Sequence, residues 1–238
     1  MKTKDATLKC MFRLRFTTDN RNKLRFAHFS VKEYLVSSRI LQPPKPSSDF
    51  AIVEQEAHRM LTTIGLVYLI AILDSESEHN SFLRHSASNW YKHMKKIIGD
   101  NSRELECGLA MKLFSSPSDT LLVRWLSIHN PDGGAQLGSF SSSVYFSSLL
   151  GLINVTTDLI ASGADVNMQG GQYGSALQAA SMEGHKKIVE LLLQQGADVN
   201  MQGGFYGSAL QAASKGGHKE IVELLLARGA DADNHFPT

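Results

Sequence analysis

Apolar side chains change their period along this chain. Leu8, Cys10, Phe12, Leu14 and Phe16 take alternate positions, with Lys9, Arg13 and Arg15 among those between. That two-residue period is the mark of a strand. Thr18-Asp19-Asn20-Arg21-Asn22 is turn chemistry. Alternation resumes over Lys23–Phe29, where Leu24, Phe26 and His28 oppose Arg25 and Ala27. The pattern predicts a β-hairpin. Ser30-Val31-Lys32-Glu33 then has capping-box spacing and opens a helix through Ser38 or Ile40.

Pro43-Pro44-Lys45-Pro46-Ser47-Ser48 reads as a stiff linker. Beyond it the period is helical. Helices are predicted from Asp49, as cap, to about Leu73, and over Asn80–Ile98, Ser102–Phe114 and Asp119–Ile128. Pro117 and Pro131-Asp132-Gly133-Gly134 interrupt them. Phe82, Trp90, Leu122 and Trp125 are assigned to the core. The most apolar run, Ile64–Leu73, has ten residues. A membrane span needs roughly 20, so this run reads as a buried helix and no membrane association is expected.

The last third of the chain repeats itself. Gly163-Ala164-Asp165-Val166-Asn167 recurs at Gly196–Asn200 and, weakened, at Gly229–Asp233, with a constant period of 33. Residues 163–195 and 196–228 agree at 27 of 33 positions. One period earlier a degenerate copy keeps Gly151 and Leu159-Ile160 in register. Each unit predicts a short helix, Ser175–Met182, with small Ala179 and Ala180 allowing close approach. Gly184 ends it, because glycine reaches positive φ at little cost. A second helix, Lys186–Gln194, carries Ile188, Val189, Leu192 and Leu193 on one stripe and ends at Gly196. Asp198–Tyr206 is a turn or finger. One such unit cannot bury its own apolar face, whereas a stack can.

This unit resembles an ankyrin repeat in its period, its Gly184-His185 and Gly217-His218 pairs, its Ile188–Leu193 and Ile221–Leu226 stretches and its finger. The resemblance covers about residues 140–233. It implies that His185 and His218 pack one repeat on the next, and that the finger and the end of the first helix line the surface that contacts other proteins. The chain departs from the family at the start of the first helix. Ser175-Ala176-Leu177-Gln178 and Ser208-Ala209-Leu210-Gln211 stand where the family has Thr-Pro-Leu-His. Ser175 can still cap the helix, and Gln178 can still donate and accept.

Near the other end, Leu24-Arg25-Phe26-Ala27-His28-Phe29-Ser30-Val31-Lys32-Glu33-Tyr34-Leu35 resembles the winged-helix tail behind the nucleotide-binding core of fungal NACHT-type (STAND) signalling ATPases. Many of those proteins end in ankyrin repeats. The ATPase core is missing, since no G-x-x-x-x-G-K-[ST] phosphate loop occurs. The resemblance implies the C-terminal, partner-binding or sensing part of a NACHT-ankyrin signalling protein, or a truncated relative.

Composition adds limits. The 238 residues are 42% apolar and 20% charged, a globular balance, with a net charge of +1. Residues 1–60 hold 12 Lys/Arg against 6 Asp/Glu, and residues 163–238 hold 5 against 8. Cys10 and Cys107 form no CxxC, and no apolar leader follows Met1. A reducing, cytoplasmic location is expected. His85 and His93 lack zinc spacing. His28 with Ser30 lacks an acidic orienter and an oxyanion loop. No enzyme activity, cofactor or metal is therefore expected. The alternative function is nucleic-acid binding through the basic hairpin of Arg13, Arg15, Arg21, Lys23 and Arg25. No aromatic interleaving or second basic helix supports it.

The reading is thus a mainly α chain: an ankyrin-repeat α-solenoid preceded by a small β-hairpin or winged-helix-like segment and a helical region. The expected divisions are 1–42, 49–130 and 140–238. The two full repeats differ at Gln172/Phe205, Met182/Lys215, Glu183/Gly216, Lys187/Glu220, Gln194/Ala227 and Gln195/Arg228. The first three fall on the expected contact surface, so Gln172, Tyr173, Met182, Glu183, Phe205, Tyr206 and Lys215 are assigned to partner binding. One finger follows Leu226. The outward side of Ala212, Ala213, Val222 and Leu225 is therefore expected to be bare, and self-association through it is expected.

Overall fold

A computed structural model describes residues 16–18, 24–26, 54–74, 81–97, 104–115, 120–132 and 142–232. Two short strands, β1 (Phe16–Thr18) and β2 (Leu24–Phe26), pair antiparallel with Phe16 opposite Phe26. These six residues are all that is described of residues 1–42, and they do not support the expected β-hairpin or winged-helix-like segment. The helix expected from Ser30, the Pro43–Ser48 linker, Asp49, and Arg13, Arg15, Arg21 and Lys23 lie outside the described residues. The rest is helical, with ten helices among the described residues.

The first four are α1 (Glu54–Asp74), α2 (Ser81–Lys96), α3 (Glu104–Phe114) and α4 (Thr120–Ile128). Long α1 packs against the other three. Trp90 and Trp125 meet edge to face at 6.0 Å, and the Trp125 indole donates to the Ala87 carbonyl at 3.0 Å. That bond satisfies a buried N–H that would otherwise oppose burial. Trp90, Leu122 and Trp125 are buried as expected. Phe82 is half-buried against Tyr68. The run Ile64–Leu73 is not wholly buried. Leu66, Leu69 and Leu73 face the core, whereas Leu61, Ile64 and Val67 lie exposed. A helix as long as α1 presents every face in turn, and here neighbours cover only one. By length and composition α1 could also cross a membrane.

The array consists of α5 (Ser143–Leu149), α6 (Ile153–Ala161), α7 (Ala176–Met182), α8 (Lys186–Gln194), α9 (Ala209–Gly216) and α10 (Lys219–Ala227). Ser142, Ser175 and Ser208 cap the first helix of each pair, accepting from Tyr145, Gln178 and Gln211 N–H at 3.1, 3.3 and 3.2 Å. Leu177, Ala179 and Ala180 are buried, so α5, α7 and α9 pack closely side by side. Ile188, Val189 and Leu192 are buried and Leu193 half-buried.

Helix starts carry the period further upstream than the residues do. Helices α4, α6, α8 and α10 begin at residues 120, 153, 186 and 219, a constant step of 33. Leu122, Val155, Ile188 and Ile221 are buried at one position of this series, and Leu126, Leu159, Leu192 and Leu225 at another. Helix α4 is thus in register with the array, and it packs on α1, α2 and α3 while Trp125 meets Phe146 of the first repeat. Helix α3 lies against α6 and covers the first repeat. One apolar core runs from Leu66 in α1 to Leu225 in α10.

Successive repeats are locked by a histidine. His185 Nε2 donates to the Leu149 carbonyl at 3.2 Å, and His218 Nε2 donates to the Met182 carbonyl at 3.0 Å. A carbonyl only accepts, so Nε2 carries the proton in both. Each ring lies over a glycine of the preceding repeat. Gly151 and Gly184 have φ of 74° and 75°, and a Cβ on either would overlap the following histidine. Side-chain amides add a second lock. Asn167 donates to Gly196 and accepts from Asp198 N–H, at 3.0 and 2.8 Å, and Asn200 repeats both bonds with Gly229 and Asp231.

The outward face of the last repeat differs from expectation. Ala212, Ala213 and Leu225 are fully buried, because these positions face the preceding repeat and the partner helix. The residues left open are Ser214, half-buried Val222 and Leu226, which is 46% exposed. Ser181 and Val189, the counterparts of Ser214 and Val222, are buried one repeat earlier.

Gly184→Ala and Gly217→Ala separate the two demands on the turn. Both glycines have φ of 75°, but nothing stands where a Cβ on Gly217 would project. Both variants should lose about 1–2 kcal/mol to the left-handed conformation. Gly184→Ala should lose roughly 1–3 kcal/mol more by displacing His218. Equal urea midpoints for the two variants would show that the ring contact contributes nothing.

A pH dependence follows from the same lock. Burial, and then the charge of Lys95, push the His185 imidazole down to about 4. An unfolded histidine titrates near 6.5. As pH falls from about 6.5 to 4 the unfolded chain takes up a proton that the folded chain refuses, so stability present at pH 7 is lost across that window. The expected loss from this residue is on the order of 2 kcal/mol, allowing for solvent screening of a partly exposed ring. His93 and His129 are lowered by burial too and act in the same direction. His185→Gln should therefore shrink, not abolish, the fall in urea midpoint between neutral and acidic pH.

Candidate protein-interaction surface

The fingers between second and first helices are built from glycine and held from beneath. Gly170 N–H donates to Gly174 at 2.8 Å, and Gly203 N–H to Gly207 at 2.9 Å, closing each finger on itself. The Gln178 amide, buried under the second finger, donates to the Gly203 and Gly207 carbonyls at 3.0 and 2.8 Å. Gln178, which stands where the resembled family has histidine, thus tethers the next finger. Adjacent tips are joined edge to edge. Phe205 N–H donates to the Gln172 carbonyl at 2.8 Å, and the Gln169 amide to Gln202 at 3.2 Å.

The first finger is anchored differently. Tyr145, one period before Gln178, is fully buried and donates its hydroxyl to Asp132 Oδ1 at 2.7 Å. Asp132 Oδ2 accepts from Gln172 N–H at 2.6 Å, and the Tyr145 hydroxyl accepts from Tyr173 N–H at 3.2 Å. Burial, reinforced by the Asp132 carboxylate, raises the Tyr145 phenol far above its ordinary range. It stays a protonated donor at any pH of interest. Residues 130–132, at the end of the helical region, therefore fix the first fingertip.

On this frame stand the residues assigned to partner binding. Gln172, Glu183, Phe205 and Lys215 are exposed, and Tyr173, Met182 and Tyr206 are half-buried. The structure brings three rings together. Tyr173 and Tyr206 stack at 5.9 Å with planes 9° apart, and Phe205 meets Tyr206 edge to face at 5.0 Å. Glu183 is near enough that its charge, after burial, raises the Tyr173 phenol. Met182 contributes its carbonyl to the His218 lock instead. The other differences between the full repeats lie on or next to the second helix. One has a structural use, because Glu220 accepts from Lys186 of the preceding repeat at 2.8 Å. Nothing explains Gln194/Ala227 or Gln195/Arg228.

Tyr145, Asp132, Asn167 and Asn200 carry no assignment from sequence. The available signal is the repeat period, which sets Tyr145 at the Gln178 position and Asp132 at the Asp165 position. Of the remaining candidates, His93 Nδ1 lies 2.9 Å from His58 Nδ1. His28 and Ser30 lie outside the described residues. Cys107 is a buried free thiol. Among the described residues no group of three His, Cys, Asp or Glu is placed to hold a metal ion.

Comparison with known proteins agrees with this geometry. A relative, the azaphilone pigments biosynthesis cluster protein L of Monascus ruber, is 41% identical over 160 residues, which is 59% of this chain and 32% of that protein. The chain spans about a third of the length of that relative. Residues 145–235 match the ankyrin repeats, in three copies. The glycine–histidine locks, the serine-capped first helices and the glycine-built fingers of this segment are accordingly those of an ankyrin-repeat array, an architecture that generally mediates binding to other proteins.

Proposed function

We propose that this chain works in the cytoplasm by binding a partner protein across its fingertips and first-helix ends, not by catalysis. One observation carries the reading. Two repeats identical at 27 of 33 positions differ at the exposed tip, Gln172/Phe205, and at the exposed end of the first helix, while every buried position is kept. Packing explains the identity, and recognition of a partner explains the change. We further read the array as the partner-binding or sensing part of a NACHT-ankyrin signalling protein. What supports this is the Leu24–Leu35 motif and its order ahead of the repeats. Self-association is assigned to the opposite end of the stack, where Leu226 is open. A mass that grows with concentration, and ceases to in Leu226→Glu, is the expected sign.

The binding face can be tested by affinity capture from an extract of the source organism. The wild-type chain should retain a partner that Phe205→Gln and Tyr206→Ala lose by about tenfold or more. Lys187→Glu, on the second helix, should retain it. Equal capture by all four proteins would overturn the reading. Capture of nucleic acid that weakens steeply with salt would favour the basic N-terminal segment instead.

A further inference from the structure

We propose that the ring platform of Tyr173, Tyr206 and Phe205 accepts a basic side chain, lysine or arginine, from a protein segment. This rests on the reading of the finger face as the binding face and adds the chemistry of its ligand.

The platform is preorganised, and Phe205, its outermost ring, faces solvent. Phe205 is 67% exposed, more than any other large apolar side chain among the described residues. Its backbone is fixed to Gln172, and Gln178 holds the same finger from below. Gly204 lies against the Tyr173 carbonyl so closely that no side chain would fit between them. Ring faces carry the negative part of the aromatic quadrupole and attract cations. Local charge has the same sign. The finger segments 163–175 and 196–208 contain Asp165 and Asp198 and no Lys, Arg or His. Glu183 adds a carboxylate within electrostatic reach of Tyr173. Lys95 of α2 feels the same carboxylate, so the rings are the primary receptor and Glu183 the secondary one. The fingers themselves offer a phosphate-bearing or acidic ligand no cation, and the exposed Lys215 stands outside them, in the last turn of α9.

The two repeats supply their own control. Phe205→Gln gives the third repeat the residue its predecessor carries at Gln172, on the same glycine-built finger, and should leave the melting temperature unchanged. The full chain is used to select binders from a random peptide library displayed on phage. Selected peptides should share one position rich in Arg or Lys. Their affinity, measured in solution, should fall about tenfold in Phe205→Gln and less in Glu183→Gln. Single-stranded DNA, whose bases also stack on rings, should not compete. Peptides that need Phe205 but show no basic position would overturn the ligand class while leaving the binding face intact. Basic peptides that bind Phe205→Gln as well as wild type would overturn both. Competition by the DNA, or a selection that yields no basic peptide, would overturn the proposal.

Discussion

A repeat of two short helices has too little interior to stand alone, and everything in the array depends on how one unit holds the next. The holding contact is a histidine laid over a glycine. It works because each partner solves the other's difficulty. The glycine must take a left-handed conformation to end the first helix, which leaves the space above it empty of a Cβ. The imidazole fills that space and gives the end of the preceding helix a donor it lacks. Burial keeps His185 neutral near pH 7, so the bond forms without desolvating a charge. The glycine and the histidine of the contact are therefore the same in both full copies, and variation falls at positions that are not buried.

Much of this was legible in the sequence because a repeat compares a chain with itself. The constant period placed the helix Lys186–Gln194 and gave Gly184 its role as helix end, and the resemblance to ankyrin repeats supplied the packing role of the histidines. Periodicity served less well where burial is set by distant neighbours. The length of the apolar run Ile64–Leu73 pointed to a buried helix, but α1 is longer than the helices beside it and leaves Leu61, Ile64 and Val67 exposed. Ala212, Ala213 and Leu225 were expected to point outward. Which side of a repeat faces backward is a property of the stack, and the sequence of one unit does not contain it.

The anchoring of the fingers was hidden for a different reason. Side chains that bond backbone groups of a neighbouring repeat leave no local pattern. Gln178, Tyr145 and Asn167 each reach the next finger or turn, and the three residue types share only the ability to place a donor or acceptor at one spot. Tyr145 takes the glutamine position but needs Asp132 to complete it, which draws the end of α4 into the array. Helix α4 keeps the period and two of the buried positions, yet its exposed Val123 stands where Thr156 and Val189 are buried in the stack. That position marks where the helical region stops behaving as a repeat and becomes a cover for the first one.

These tethers bear directly on binding. A loop that must order itself on contact loses affinity to the entropy of ordering, and long glycine-rich loops lose most. Here six glycines, at positions 170, 171, 174, 203, 204 and 207, build two fingers. Their freedom is removed in the free protein by bonds to side chains that are themselves buried. The glycines serve close approach, as at Gly204 over Tyr173, rather than mobility. Phe205 can consequently stand in solvent without collapsing onto the array, because its backbone is held at Gln172 and its ring edge at Tyr206. Its position depends on the preceding repeat as much as on its own. A change at Gln178 should therefore weaken recognition without touching the ligand, because the bonds that shape the finger also set where the binding face stands.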